Sequence, residues 1–132
     1  MSDADLLARA RAAAENAYAP YSRFRVGAVA VAADGTEYIG ANVENAAYPS
    51  TLCAEAVAVA SAIASGARQI TTVAVACLDG TTCFPCGQCR QRMAEFGVER
   101  VIVTGPDGEP EVHALADLLP ASFGHEHLPP RG

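Results

Sequence analysis

Cys53-Ala54-Glu55 and Pro85-Cys86-Gly87-Gln88-Cys89-Arg90-Gln91 are the stretches of this chain best equipped for chemistry. Together they offer three thiols and one carboxyl group. Three thiolates can hold a zinc ion and leave its fourth tetrahedral position open, the arrangement of a catalytic site rather than a closed structural one. A water at that position becomes a usable nucleophile near neutral pH. Glu55, two residues from Cys53, is placed to move protons. The pattern points to zinc-dependent hydrolytic chemistry, with Cys53, Cys86 and Cys89 on the metal and Glu55 as the catalytic group.

Each half is weaker alone. A lone C-x-x-C also fits a redox pair or half of a structural zinc knuckle. Cys53 by itself fits a small buried hydrophobe. The combination is more specific, because a carboxylate beside a thiolate has little use in a core.

Both runs are expected to open helices. Cys86 and Cys89, at i and i+3, then project to one side of a first turn. The positive end of a helix lowers a thiol pKa and favours the thiolate that a metal needs. The helix carrying Cys86 runs to Phe96 and is closed by Gly97. The one following Cys53 runs from Leu52 to Ser65, with Ser50 or Thr51 as cap and Gly66 at its end. Its lack of a polar face predicts burial. Upstream, Leu6, Leu7, Ala10, Ala13, Ala14 and Ala17 predict a helix over Asp3 to Tyr18, capped by Ser2 or Asp3 and ended by Pro20. Asp34-Gly35 between Val26–Ala33 and Thr36–Val43 predicts a tight hairpin. Ile70 to Leu78 reads as a central strand covered on both faces, with Cys77 in the core. Val101 to Thr104 is a short strand, and Val112 to Leu119 a short strand followed by a helical turn. From about residue 120 the tail reads as loosely structured. This order predicts an α/β fold: a mixed sheet with helices on both faces, in one domain spanning residues 1–132.

Composition narrows the partners. The chain is 51% hydrophobic with a formal net charge of -6. No basic stripe is present to neutralise phosphates, which argues against nucleic acid polymers and for a small substrate. No run is apolar for long enough to span a bilayer, and Met1 to Arg11 lacks the signal-peptide pattern, so a cytoplasmic location is expected. Five cysteines, clustered rather than paired, favour metal binding over disulfides.

The joint pattern, Cys-x-Glu followed by Pro-Cys-x-x-Cys, resembles the signature of the zinc nucleoside and nucleobase deaminases. Within that group the chain is similar to the small homotetrameric cytidine deaminases. The likeness runs through Pro20-Tyr21-Ser22-Arg23-Phe24, Val26-Gly27-Ala28, Asn42-Val43-Glu44-Asn45, both cysteine runs, Leu118-Leu119-Pro120 and Ser122-Phe123-Gly124. It implies a three-layer α-β-α fold with about five strands, one zinc per chain, and active sites shared between subunits of a homotetramer. It implies hydrolysis of cytidine and deoxycytidine to uridine, deoxyuridine and ammonia, in pyrimidine salvage. Glu55 matches the proton shuttle, which serves the attacking water, N3 and the leaving amino group. Asn42 and Glu44 match the pair that bonds the ribose hydroxyls. On a strand they would point the same way. Phe24 and Phe123 match aromatics on the pyrimidine, Phe123 coming from a neighbouring subunit. Tyr48 matches a position lining a shared site, and backbone groups near Ala54 and Phe84 match those that read the base edge.

Two departures stand out. Many three-cysteine relatives carry Arg directly after the glutamate, where this chain has Ala56. Three thiolates on a zinc dication leave net negative charge, so compensation must come from helix N-termini or from Arg90. Arg90 and Gln91 are placed by sequence to bond the ligand sulfurs. The alternative for Arg90 is a structural or intersubunit contact. Cys83 extends the pattern to C-x-x-C-x-x-C, a spacing that iron–sulfur sites also use. A free thiol near the site is the preferred reading, because a cluster leaves Glu55 unexplained. His113, His125 and His127 have no ligand spacing and read as exposed tail residues. A deaminase of a modified nucleoside of the blasticidin S type, or a structural zinc module, are the competing functions. Asn42-Val43-Glu44-Asn45 favours an ordinary nucleoside, and Glu55 argues against a purely structural metal.

Overall fold

A computed structural model describes residues 1–80 and 82–130. The β-branched and alanine-rich runs form a five-stranded sheet in the order β2-β1-β3-β4-β5. The strands are β1 (Val26–Ala32), β2 (Glu37–Ala41), β3 (Ile70–Cys77), β4 (Arg100–Thr104) and β5 (Pro110–Ala114). β1 pairs antiparallel with β2 and β3, β3 pairs parallel with β4, and β4 pairs antiparallel with β5. β3 is central and almost wholly buried, as its continuous apolar run predicts. The β1–β2 turn uses Gly35 at φ 89°, a value that glycine adopts without strain.

Four α-helices cover the sheet: α1 (Asp3–Ala14), α2 (Ala54–Ala64), α3 (Gly87–Glu95) and the short α4 (Leu115–Leu118). Leu6, Leu7 and Ala10 of α1 pack on Val29, Ala74 and Ile102 on one face. α2 and α3 pack on the other, through Ala58, Val59, Cys89 and Met93 against Val73, Val75 and Val101. These three layers match the expected architecture. The α2 layer lies very close to the sheet at Gly40, where an added Cβ would strike the Ala54 carbonyl oxygen and the Ala58 nitrogen. Gly27 stands in the same relation to Ala10 and Ala14 of α1.

Several expected boundaries move, each for a long-range reason. α1 stops at Ala14 rather than Tyr18, because Tyr18 leaves the helix to bridge Val43. Its N-terminus is closed by Ser2, which forms a reciprocal capping box with Asp5. α2 begins at Ala54 rather than Leu52, because Leu52 pairs with Val43. Neither Ser50 nor Thr51 caps it. The cap position is Cys53, while Thr51 Oγ1 accepts from the Asn45 amide at 3.1 Å. Nor is α2 buried all round: Ala60, Ser61 and Ala64 are exposed. His113 is no tail residue. It lies in β5, bonds Glu111 at 2.9 Å and meets the Phe84 ring edge-on. His125 and His127 do lie in the tail, within one turn of 3-10 helix.

Candidate metal and substrate site

The packing of α2 and α3 on one face brings their N-termini together. Cys53 is the cap residue of α2 and Cys86 that of α3. Cys89 follows in the first turn of α3 and is fully buried. The sulfurs of Cys53, Cys86 and Cys89 all lie within 4.8 Å of one another. The Cys53 and Cys86 sulfurs are 3.9 Å apart. Tetrahedral zinc, with Zn–S near 2.3 Å, requires sulfurs about 3.8 Å apart. The donor set therefore fits zinc with one position left over. Cys83 stands outside this triangle, and Cys77 is buried at the end of β3.

Glu55 lies in the first turn of α2 and is 5% exposed. Burial pushes its carboxyl group above the usual carboxylate range, against a weaker downward pull from its own backbone N–H and from Arg92. Burial also pushes the Cys53 and Cys89 thiols up, with nearby sulfurs and Glu55 adding to the effect. Cys86 is lowered: burial opposes this, but the Cys89 backbone and side chain outweigh it. Cys83 is pushed up to about 12 by burial, with Cys77 adding. A dication reverses these preferences at the three ligand sulfurs, since metal binding to thiols releases their protons.

In front of the sulfurs lies a cleft of about 310 Å³, whose lining includes Phe24, Asn42, Glu44, Ala54, Glu55 and Phe84. Asn42 and Glu44 lie beyond the end of β2 but still share the cleft wall. Asn42 Oδ1 accepts from the Val26 amide at 2.9 Å, and Nδ2 donates to the Phe24 carbonyl at 2.9 Å. One Nδ2 hydrogen remains for a ligand. Glu44 Oε1 accepts from the amides of Tyr21 and Ser22 at 3.0 and 3.1 Å, and Oε2 accepts from the Ser22 hydroxyl. These bonds, Ser22's first, hold its carboxyl group below the ordinary value. Oε2 retains acceptor capacity toward the cleft.

Phe24 and Phe84 are 38% and 44% exposed at the cleft. Tyr48 lies at the outer end, edge-on to Tyr21, in a depression that shares Ser22, Glu44 and Thr51 with the cleft. Phe123 is not brought to the cleft within one chain. It is 57% exposed beside His127, tethered where Gln91 Nε2 donates to its carbonyl at 2.7 Å.

Arg90 and Gln91 do not bond ligand sulfur. Arg90 donates to the carbonyls of Pro85 and Leu118, both at 2.8 Å, because its side chain follows the turn that leads into α3. Arg92 is the guanidinium that reaches sulfur, 3.5 Å from Cys89 Sγ. Its i+3 spacing from Cys89 is the signal that could have found it. Ser22, the anchor of Glu44, had no signal beyond its place in the Pro20 to Phe24 run.

Comparison with known proteins agrees with this geometry. A family model for the cytidine and deoxycytidylate deaminase zinc-binding region matches residues 1–105. A cytidine deaminase of Sporosarcina psychrophila is 44% identical over 125 residues, covering 93% of this chain and 92% of that protein. One from Mycobacterium tuberculosis is 42% identical, covering 98% and 97%. The crystal structure of the Burkholderia pseudomallei cytidine deaminase superposes with a TM-score of 0.86 at 43% identity, covering 93% of this chain and all of that one. With its three-cysteine cluster, buried carboxylate and matching fold, this chain belongs to the zinc-dependent cytidine deaminase family.

Proposed function

We propose that this protein is a cytidine deaminase that hydrolyses cytidine and deoxycytidine to uridine and deoxyuridine with release of ammonia, in cytoplasmic pyrimidine salvage. The observation that carries the reading is the triangle of Cys53, Cys86 and Cys89 sulfurs beside buried Glu55, at the floor of a cleft sized for a small substrate. When bound, zinc supplies a water acidic enough to act as a nucleophile near neutral pH. Glu55 takes one proton from the attacking water and gives it to N3 of the base, then takes the second from the new hydroxyl group on C4 and gives it to the departing amino group. Its burial supports this role, because a raised carboxyl pKa suits a group that both accepts and donates. Asn42 and Glu44 hold the sugar hydroxyls with the hydrogen and lone pair they have free. Phe24 flanks the base, Tyr48 closes the outer end, and the backbone near Ala54 and Phe84 reads the base edge.

Residues 1–132 act as one domain, and the active unit is a homotetramer with shared sites. Exposed Phe123 supports this, since it is not among the residues lining its own cleft, and so does the apolar groove along α2. Among the described residues no helix is long and apolar enough to cross a membrane.

The test is an absorbance assay on purified protein with cytidine, with metal analysis of the same sample. Cytidine loss with about one zinc per chain is expected. Glu55→Gln should keep the zinc and lose turnover by roughly 100-fold or more. Zinc without turnover on either nucleoside would turn the reading toward a modified substrate or a structural metal.

A further inference from the structure

We propose that Arg92 is the cation that balances the charge of the three-thiolate zinc site in this chain. This rests on the assignment of Cys53, Cys86 and Cys89 as ligands. Zinc with three thiolates keeps a net negative charge in a partly dry setting beside the Glu55 carboxyl group. Cys53 and Cys86 sit at helix cap positions, where free amides and the helix dipole favour a thiolate. Cys89 lies deeper and is fully buried, so its sulfur has most need of a charged partner. Arg92 supplies one. Its guanidinium donates to Cys89 Sγ at 3.5 Å, reaching back one turn along α3 as helical side chains do.

Two further observations point the same way. Among the described residues Arg92 has no carboxylate within ion-pair distance, and the one carboxyl group its charge is seen to act on, Glu55, belongs to the same site. Arg92 and Ala56 also line one groove between α2 and α3. The charge therefore enters from α3, on the side where the residue after Glu55 offers none. Arg90 cannot replace it, being held by the carbonyls of Pro85 and Leu118. Arg92 is thus a positioning residue that acts through the metal ligand rather than on the substrate.

The test compares zinc affinity of wild type, Arg92→Gln and Arg92→Lys by chelator competition, together with the unfolding temperature of each metal-free form. Losing an outer partner of a metal ligand typically weakens metal binding by about 10- to 100-fold. Arg92→Gln should fall in that range, Arg92→Lys should lose less because it keeps the charge, and the metal-free forms should unfold at one temperature. In cobalt-substituted protein the thiolate-to-metal absorption of Arg92→Gln should shift as Cys89 loses its donor. Affinity of Arg92→Gln within about twofold of wild type, or a loss matched by lower metal-free stability in both variants, would overturn the proposal. Failure of the ligand assignment looks different: wild type itself would hold no zinc. Cytidine turnover by the wild type reports on the function separately.

Discussion

Gly40 of β2 lies directly beneath Ala54 at the start of α2, so close that a methyl group on Gly40 would meet the Ala54 carbonyl. The contact sets the height of the helix end that carries Cys53 and Glu55. Gly40→Ala must lift that end or strain the strand. Overpacking of this kind costs about 1–3 kcal/mol. We expect a lower unfolding temperature and reduced zinc content together. Full zinc occupancy with an unchanged melting curve would show that the helix end is not held at this point.

Ser22 has a quieter part. It donates to Glu44 Oε2 and accepts from the Phe24 amide at 3.0 Å. Ser22→Ala releases both the carboxylate and the loop bearing Phe24. KM for cytidine should therefore rise, with kcat changing much less. Steady-state kinetics separate the two, and an unchanged KM would remove Glu44 from substrate binding.

Cys83 and Cys89 make a discriminating pair. Cys83 lines the cleft but stands outside the sulfur triangle. Cys83→Ala is expected to keep a full complement of zinc, whereas Cys89→Ala loses most of it. Metal analysis of both proteins decides the matter, and iron in place of zinc would return Cys83 to the ligand set.

Asp79 gives a pH signature. Arg25 donates to its carboxylate through the backbone amide, Nε and a terminal nitrogen, at 2.8, 3.0 and 2.9 Å. The bonds lower its pKa from 3.8 to about 2. A depressed pKa stabilises the fold above the ordinary value, and the stabilisation is lost as pH falls through the folded one. Wild type should therefore melt above Asp79→Asn at neutral pH, and the gap should close between about pH 4 and pH 2. Melting curves across that range check it; a gap at pH 2 as wide as at neutral pH would mean that Asp79 acts through packing.

Much of this layout was legible in the sequence because it follows from local rules. The Ile70 to Leu78 run could only be a covered strand, Asp34-Gly35 could only be a tight turn between such runs, and Gly66 and Gly97 end their helices at positive φ. What was not legible depends on partners far away in the chain. Thr51 looks like a cap until Asn45 claims its hydroxyl. Tyr18 looks helical until it bridges Val43. Arg90, adjacent to a ligand cysteine, looks better placed than Arg92. Adjacency along a helix turns a side chain away by about 100°, whereas three residues bring it back to the same face. His113 reads as tail because β5 is short, and its pairing with Val101 across the β4–β5 ladder fixes it in the sheet.

The placement of the sulfurs has a mechanical consequence as well. Cys53 and Cys86 are 33 positions apart, and the segment between them contains all of α2 and β3, the central strand. An ion gripping both ends ties that segment into a closed ring. Cross-linking a ring of this size removes chain entropy worth on the order of 4 kcal/mol from the unfolded state. Bound there, the metal would at the same time fasten the fold, so a chain stripped of it would lose a brace around the sheet's middle together with its chemistry.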